Sequence, residues 1–358
     1  MSVFVHHADR SGILRQRSDI GASCCTTFCA NYVSHTCGPT FFPLQFGRIF
    51  GAFDAIGVFQ LIIATKGRRI RRAAAVAVTT GAVLATGALT AAPAQAVTAP
   101  TITAKGGYLM NSATGATLFS KSADTKRLTA STTKIMTAKV VLSQTNLNLD
   151  TKVTIRKEVS DYIVSKGASS ARLIVGDKVT VRQLLYGMML PSGCDAAMSL
   201  ADKFGTGTTV KARTANFIGK MNTMAKSLGM TNTHFDSFDG ISNGSNYSTP
   251  RDLTKLARSA MKSTTFKSVV KTKSYTAKTI TKTGATRTMA AWNNTNALLG
   301  WNGTLGIKTG SGTEAKYCLV FAATLNGEQV MGAVLTSSSE ANRTADVKKL
   351  ITYGYARI

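Results

Sequence analysis

A serine and a lysine three residues apart, Ser131 and Lys134, are the strongest candidates for chemistry in this chain. The stretch from Ser131 to Leu142 carries apolar residues at helical spacing, which predicts a helix. Residues three apart on a helix lie on one face, so the hydroxyl and the amine would meet there. A lysine whose pKa is lowered by burial can take a serine proton near neutral pH. We therefore predict that Ser131 is a nucleophile and that Lys134 is its general base.

This spacing also arises by chance, and Ser268 and Lys271 repeat it in the same chain. The first copy is distinguished by the motifs that follow it. Ser192 lies in a Pro-Ser-Gly segment between two predicted helices, and that loop could close one side of a cleft. Further along, Lys308-Thr309-Gly310 lies on a predicted strand that could form the opposite wall.

The segment Lys308-Thr309-Gly310 is predicted to bind substrate. The lysine charge and the threonine hydroxyl suit a carboxylate, while Gly310 would let the substrate approach the backbone closely. The backbone N–H groups of Ser131 and Ser311 would donate to an oxyanion. A second Lys-Thr-Gly begins at Lys282, but it lies in a polar stretch and not before an apolar strand, which favours Lys308.

Hydrophobic periodicity indicates the scaffold that must position these residues. Strand-like segments lie at both ends of the region 97–358, and helices lie between them. We predict an α/β (α+β) class: an antiparallel sheet of about five strands flanked by helices, with a mostly helical lobe and the active site between them. The predicted hairpin spans 106–119, the later strands span 305–309, 317–324 and 329–336, and the helices span 181–189, 195–204, 212–228, 250–261 and 345–355.

The first 96 residues are predicted to lie outside this domain. Residues 66–96 combine a basic start, an uncharged apolar segment and the small-residue site Ala94-Gln95-Ala96, which indicates a secretory signal peptide. A membrane anchor is the alternative. Residues 1–65 are interpreted as an over-extended gene start, with a genuine domain as the alternative. Residues 97–358 would then form one exported domain, extracellular or associated with the cell wall.

Cysteine content and charge limit the partners of this exported domain. Only Cys194 and Cys318 follow the predicted cleavage site, and both are expected to be free. The upstream cysteines fit no zinc spacing, so no metal and no cofactor are predicted. The whole chain has a net charge of +26, and residues 97–358 carry +20 of it, which favours anionic polymers; outside the cell these would be wall polymers or lipid and not nucleic acid. A basic surface that only aids solubility is the alternative, and we expect a monomer.

In combination, these motifs resemble those of the serine DD-peptidases, the low-molecular-mass penicillin-binding proteins that act as D-alanyl-D-alanine carboxypeptidases. Segments at 228–235, 248–252 and 294–296 are also similar to family signatures, and the last of them supports Lys308 over Lys282. The resemblance covers 97–358 and is strongest to the small single-domain DD-transpeptidases of Streptomyces. It implies the fold shared by DD-peptidases and β-lactamases.

The resemblance implies acyl transfer on peptidoglycan stem peptides that end in D-Ala-D-Ala. Ser131 would attack the bond between the two D-alanines, and Ser192 would relay a proton to the leaving amine. The acyl group would pass to water, as in a carboxypeptidase, or to an amine, as in a transpeptidase. β-Lactam antibiotics would acylate Ser131. Cys194 falls in the substrate site, where most of the family has asparagine, and a thiol cannot present an amide to the substrate.

Other functions remain open at this point. A class A β-lactamase shares the three motifs but needs a glutamate for deacylation, and no glutamate lies between Asp195 and Lys308. Slow loss of bound penicillin is therefore predicted. A wall-binding protein with a decayed site is the non-enzymatic alternative, supported by Cys194. That thiol is disfavoured as the nucleophile because no histidine lies near it in the sequence.

Three further polar residues are predicted to have structural roles. His234 is the only histidine after the predicted cleavage site, and a structural role is favoured over a catalytic triad. Asp195 is expected to cap the helix that follows it. Asp236 and Asp239 are expected to serve a turn with Gly240.

Overall fold

A five-stranded antiparallel sheet, formed by both ends of the described region, is the centre of the fold. The structure is a computed structural model that describes residues 97–358. The predicted gene-start extension at 1–65 and the predicted signal peptide at 66–96 lie outside the described residues. Within the described region, no helix is long and apolar enough to cross a membrane.

The structure contains the following elements in chain order. The strands are β1 (Gly106–Asn111), β2 (Thr117–Lys121), β3 (Lys152–Thr154), β4 (Lys178–Thr180), β5 (Ser274–Tyr275), β6 (Lys278–Ile280), β7 (Thr286–Thr288), β8 (Trp292–Asn293), β9 (Thr304–Gly312), β10 (Lys316–Leu325) and β11 (Glu328–Ser337). The helices are α1 (Lys134–Leu142), α2 (Lys157–Lys166), α3 (Val181–Met189), α4 (Cys194–Phe204), α5 (Val210–Ser227), α6 (Pro250–Ala260), α7 (Thr264–Lys271) and α8 (Glu340–Tyr355). Two short 3-10 segments span Ala130–Thr133 and Trp301–Gly303.

The large sheet has the strand order β2-β1-β11-β10-β9, and every neighbouring pair is antiparallel. The N-terminal hairpin therefore pairs with the last strand, which confirms the predicted α+β class. Strands β10 and β11 are buried on both faces, which explains their nearly continuous apolar sequences. Leu319 and Phe321 pack against Val347 and Leu350 of α8, while α6 lies against β1, β10 and β11. Strand β9 is an edge strand of this sheet, and it pairs with β10, which α6 and α8 cover.

Helix α1 is the central helix of the second lobe. It contacts α3, α4, α5 and α6, and its residues from Lys134 to Ala138 are all buried. A helix that is apolar on all sides is stable only when other elements surround it, and these four helices do so. Because α1 begins at Lys134, the lobe packing places that amine where the helical lobe meets the sheet.

Helices α2 and α7 were absent from the sequence prediction. Val159 is the only buried residue of α2, so that helix carries too few apolar positions for periodicity to reveal it. Helix α7 buries Phe266, Val269 and Val270 within a segment rich in threonine and lysine. The threonine- and lysine-rich stretch that follows contains the short strands β5, β6 and β7. Strands β3, β4, β6 and β7 form a second, small sheet in the order β3-β4-β6-β7.

Candidate active site

Ser131 and Lys134 meet at the start of α1. The Lys134 Nζ atom lies 3.0 Å from the Ser131 Oγ atom. The predicted helix differs at its first turn, because residues Ala130–Thr133 form a 3-10 turn and the α-helix begins only at Lys134. The tighter turn still leaves the two side chains on one side, since residues three apart are aligned in a 3-10 helix. We call Ala130–Thr133 the Ser131 turn.

Two glycines allow neighbouring backbone to approach the Ser131 turn. A Cβ atom on Gly240, whose φ is +94°, would lie 1.9 Å from the Ala130 carbonyl oxygen. A Cβ atom on Gly310 would lie 3.0 Å from the Thr129 carbonyl oxygen and 3.2 Å from the Thr132 nitrogen. The close approach predicted at Gly310 is therefore made by the protein's own turn, which β9 contacts directly.

Lys134 is fully buried, and its amine is held by three contacts. Besides Ser131, its Nζ atom lies 2.9 Å from the carbonyl oxygen of Asp239 and 3.3 Å from the Sγ atom of Cys194. The Asp239 carboxylate is fixed in turn by the Tyr162 hydroxyl at 2.8 Å and by the Ile241 N–H at 2.9 Å. Asp239 does serve the predicted turn at Gly240, but its carbonyl also orients the amine, which the sequence did not reveal.

Cys194 lies beside the amine as a buried neutral thiol. Its side chain is 1% exposed, and the Sγ atom lies 3.5 Å from the Ser169 hydroxyl as well as 3.3 Å from Lys134. Burial raises the pKa of the Cys194 thiol, although the Lys134 charge opposes this. A thiol of raised pKa is a poor nucleophile at neutral pH, which disfavours Cys194 as the attacking group. Both Cys194 and Cys318 are free, as predicted.

Ser192 lies in the loop between α3 and α4, as predicted, with a left-handed backbone (φ +66°). The Ser169 hydroxyl donates to the Ser192 carbonyl at 2.6 Å, and the Cys194 N–H donates to the Ser169 carbonyl at 2.8 Å. These bonds tie the loop to the segment after α2. Within the described residues the buried Ser192 Oγ atom has no hydrogen-bond partner, so it remains available to a substrate.

Asp195 has a different role from the predicted helix cap. Helix α4 begins after Gly193 without a side-chain cap. The Asp195 carboxylate instead accepts hydrogen bonds from the Ser170 hydroxyl at 2.6 Å, the Ala171 N–H at 2.8 Å and the Leu173 N–H at 3.0 Å. It therefore fixes the segment that supports the Ser192 loop. A local capping rule could not reveal this long-range role, because the partners lie more than twenty residues away in the sequence.

Lys308, Thr309, Gly310 and Ser311 lie consecutively on β9, next to the Ser131 turn. Lys308 is 1% exposed, and its Nζ atom has no hydrogen-bond partner in the described part of the chain. Burial, and to a lesser degree the charge of Lys134, lowers the pKa of Lys308 well below its usual range. The Thr309 Oγ1 atom forms a 2.6 Å hydrogen bond with Thr295 Oγ1. An unpaired buried amine beside these hydroxyls is suited to an anionic ligand.

One cleft of about 850 Å³ brings the predicted residues together. Its lining includes Ser131, Ser192, Cys194, Thr309, Gly310 and Ser311, with the amines of Lys134 and Lys308 buried behind it. The lining also includes residues that sequence reasoning missed: Ser169, Thr295 and Arg343. Arg343 is 3% exposed and lies on α8, so it adds a second cation from a distant part of the chain.

The family assignment follows from this site together with a sequence comparison. The sequence model for D-alanyl-D-alanine carboxypeptidases matches residues 93–339. This chain belongs to the D-alanyl-D-alanine carboxypeptidase family. The predicted resemblance to serine DD-peptidases is thereby confirmed.

Individual relatives agree with the family assignment. The D-alanyl-D-alanine carboxypeptidase of Streptomyces sp. strain K15 is 66% identical over 289 residues, which is 80% of this chain and 99% of that protein. The crystal structure of the Streptomyces K15 DD-transpeptidase is 68% identical, with a TM-score of 0.72 over 73% of this chain and 100% of that one. The D-alanyl-D-alanine carboxypeptidase DacC of Escherichia coli is 33% identical over 73% of this chain and 63% of its own length.

The second copies of the Ser-x-x-Lys and Lys-Thr-Gly motifs lie outside the DD-peptidase cleft. Ser268 and Lys271 are on α7, and Lys282 is in the turn between β6 and β7. None of these three residues lines the cleft. His234 exchanges backbone hydrogen bonds with Tyr247 and lines no part of the cleft either, which agrees with a structural role.

Two glutamates border the cleft, although neither lies between Asp195 and Lys308 in the sequence. Glu314 is exposed in the turn between β9 and β10, and Glu340 begins α8. The Glu340 carboxylate accepts a hydrogen bond from the Arg343 guanidinium at 2.5 Å. Glu340 is thus engaged by a cation, which disfavours it as a base for the hydrolysis of a penicilloyl ester.

Gly310→Ala is expected to slow acylation about tenfold and to destabilise the protein by about 1–3 kcal/mol. The added Cβ atom would meet the Thr129 carbonyl oxygen at 3.0 Å, so the Ser131 turn and β9 would have to separate by a few tenths of an ångström. Gly312→Ala is the matched control, because the nearest atom to its Cβ would be 3.9 Å away. Stopped-flow acylation by a chromogenic β-lactam, together with thermal melting, measures both effects. Equal acylation rates in the two variants would contradict this account.

Proposed function

We propose that this protein is a serine DD-peptidase in which Ser131 is the nucleophile and Lys134 is the general base. It cleaves the bond between the two terminal D-alanines of peptidoglycan stem peptides through an acyl-enzyme. The observation that carries this proposal is the 3.0 Å contact between Ser131 Oγ and the buried Lys134 Nζ, beside the Lys308 amine. Nucleophile, base and a cation for the substrate carboxylate are thus combined in one cleft.

Acylation begins when the Ser131 oxygen attacks the carbonyl carbon of the penultimate D-alanine. Lys134 takes the hydroxyl proton, and its contacts with Asp239 and Cys194 keep the amine aimed at Ser131. The backbone N–H groups of Ser131 and Ser311 stabilise the resulting oxyanion. The C–N bond then breaks, and Ser192 passes a proton to the leaving amine of D-alanine.

The acyl-enzyme loses its acyl group to one of two acceptors. Attack by water releases the shortened peptide, as in a carboxypeptidase. Attack by an amino group of a second stem peptide forms a new amide bond, as in a transpeptidase. Both reactions regenerate the Ser131 hydroxyl and use the same residues.

Lys308→Gln is expected to reduce kcat/KM about 10²-fold for peptides that end in a free carboxylate. The Lys308 amine has no protein partner in the described region, so its removal leaves no orphaned acceptor and the fold should persist. A peptide whose terminal carboxylate is amidated is the matched control, because it lacks the charge that Lys308 recognises. We expect the variant and the wild type to differ much less on that peptide. Equal losses on both peptides would argue against carboxylate recognition.

Recognition of the carboxylate by Lys308 should also weaken at high pH. Only the protonated amine attracts a carboxylate, and the pKa of Lys308 is lowered well below its usual range by burial. As the pH rises through that lowered pKa, the free enzyme loses the charge and KM for the carboxylate peptide should increase. The amidated peptide and the Lys308→Gln variant should lack this increase, which kinetic pH profiles can show.

The intact mass of the purified protein after incubation with benzylpenicillin tests the proposed function. We expect a long-lived adduct that maps to the peptide containing Ser131, and release of D-alanine from a D-Ala-D-Ala peptide. Rapid catalytic destruction of penicillin without a lasting adduct would instead indicate a β-lactamase. An absence of both adduct and turnover would support the alternative of a wall-binding protein with a decayed site.

We also propose that the chain is exported and that its catalytic part works outside the cell as a monomer. The pattern of residues 66–96 supports export, since it combines the basic start, apolar segment and small-residue site of a signal peptide. N-terminal sequencing of the protein recovered from culture medium and wall fractions tests this. A first residue of Val97 is the expected result, and recovery of the uncut chain from the membrane would contradict it.

A further inference from the structure

The small sheet of β3, β4, β6 and β7 presents lysine and threonine on one face. Successive residues of a strand point to opposite sides of a sheet. Val153, Val179 and Thr279 are buried, so the residues on either side of each one point outward. We call this outward surface the lysine–threonine face, and its members are Lys152, Thr154, Lys178, Thr180, Lys278, Ile280, Thr286 and Thr288.

The strand register places the three lysines of this face in a zigzag across β3, β4 and β6. Lys152 is opposite Thr180, and Lys178 is opposite Ile280. Lys178 precedes Thr180 by two residues and Lys278 precedes Ile280 by two, so each lysine has the next one as its diagonal neighbour. Diagonal neighbours on adjacent strands lie about 7–8 Å apart. The result is a zigzag of three positive charges across three strands, with Lys178 a diagonal neighbour of both Lys152 and Lys278.

These three charges have no counter-charge among residues 97–358. Within the region that the structure describes, none of the three ammonium groups forms an ion pair or a hydrogen bond. The nearby acids are already engaged: Asp177 accepts from Arg287 at 2.9 Å and from the Thr279 hydroxyl at 2.9 Å. Asp150, before β3, pairs with Arg182 at 3.3 Å. The three ammonium groups are therefore available to an external anion.

Protection of sheet edges explains only one of these lysines. Charged residues on edge strands prevent unwanted pairing with other chains, and Lys152 lies on the edge strand β3. Lys178 and Lys278 lie on the inner strands β4 and β6, where there is no edge to protect. Their mutual repulsion at this spacing is unfavourable unless an anion lies between them.

We propose that the lysine–threonine face binds a phosphodiester polymer of the cell wall, in which polyol units alternate with phosphates. Each lysine is paired across strands with a threonine, in the pairs Lys152–Thr180, Lys178–Thr154 and Lys278–Thr288. Each pair supplies a positive charge and a hydroxyl donor to one phosphate. The regular spacing of the lysines fits a partner whose anions also repeat. The proposal rests on export of the chain, because such polymers lie outside the cell.

The composition of the face argues against other polyanions. Proteins that bind single-stranded nucleic acid combine basic residues with aromatic or arginine side chains on which bases stack, and this face has neither. A membrane-binding surface needs an apolar side to enter the lipid, and Ile280 is the only apolar member of the face. A wall phosphodiester needs only charge and hydroxyl donors.

The position of the face would hold the catalytic cleft against the wall without blocking it. None of its residues lines the cleft. Strand β3 leads into α2, which ends at the cleft-lining residue Lys166, and β4 leads into α3, which precedes the Ser192 loop. A polymer on the face would thus keep the enzyme close to its substrate while the cleft remains open.

Binding of a fluorescent poly(glycerol phosphate) oligomer, measured by anisotropy across a salt series, tests the proposal. The test variant combines three changes on the face, and the control variant combines three changes at exposed lysines of α4 and α5, so both lose the same charge. The test set is Lys152→Gln, Lys178→Gln and Lys278→Gln, and the control set is Lys203→Gln, Lys211→Gln and Lys226→Gln.

We expect the test variant to lose about tenfold or more in affinity at low salt. Its plot of log affinity against log salt should flatten by about 2, the value for three lost phosphate contacts. The control variant should change far less, and equal losses in both variants would overturn the proposal. Tighter binding of an oligothymidylate of matched phosphate number, or of phosphatidylglycerol vesicles, would overturn the assigned partner. Acylation by benzylpenicillin should be unchanged in both variants, so a failure here is separable from a failure of the proposed catalysis.

Discussion

Ser131→Ala is expected to lower D-alanine release and penicillin acylation by at least about 10⁴-fold, because the variant has no oxygen with which to form the acyl-enzyme. The fold should be retained. Lys134 keeps its contacts with the Asp239 carbonyl at 2.9 Å and the Cys194 sulfur at 3.3 Å, so no buried group loses its last partner. A melting temperature close to that of the wild type, combined with the absence of a penicilloyl adduct by intact mass, is the expected pair of results.

Ser268→Ala is the matched control, since Ser268 and Lys271 repeat the Ser-x-x-Lys spacing on α7, outside the cleft. Ser268 is exposed, so this change should leave acylation at the wild-type rate and stability within about 0.5 kcal/mol. An adduct that persists in Ser131→Ala would show that another group attacks, and peptide mapping would separate Ser192 from Cys194. Loss of the adduct in Ser268→Ala would contradict the choice between the two motifs.

Short-range sequence patterns were sufficient to predict much of the fold and the central residues of the site. The apolar spacing after Ser131 predicted a helix because α1 is surrounded on all sides, and helical periodicity is strongest where burial is most complete. Strands at both ends of the region predicted a sheet shared by the two termini, and β1 does pair with β11. The order of the motifs was enough to place Ser131, Ser192 and Thr309 in one cleft.

The remaining parts of the site depend on contacts between distant segments. The Asp239 carbonyl that holds Lys134 is a backbone atom, so no side-chain motif marks it. Thr295 and Arg343 reach the cleft because the loop before β9 and the first turn of α8 border it, and each is an ordinary polar residue in the linear sequence. Asp195 was assigned to a local cap, whereas its partners belong to a segment before α3. Each case requires knowledge of which segments meet, and sequence periodicity does not supply it.

Lys134→Met is expected to reduce acylation about 10³- to 10⁴-fold and to lower the free energy of unfolding by about 1–3 kcal/mol. The amine is the nearest basic group to Ser131, and it lies in a fully buried position. Methionine fills a similar volume, but it cannot donate to the buried Asp239 carbonyl, which would lose the Lys134 hydrogen bond. Acylation kinetics and thermal melting measure the two effects, and an unchanged melting temperature would contradict the structural part of this account.

Lys134→Arg separates proton transfer from simple electrostatic attraction. A guanidinium stays protonated in proteins, so arginine can supply positive charge beside Ser131 but cannot accept its proton. If Lys134 acts as the general base, both variants should be similarly slow. If the charge alone mattered, Lys134→Arg would recover much of the rate that Lys134→Met loses. That recovery would show that Lys134 acts through its charge and that another group accepts the Ser131 proton.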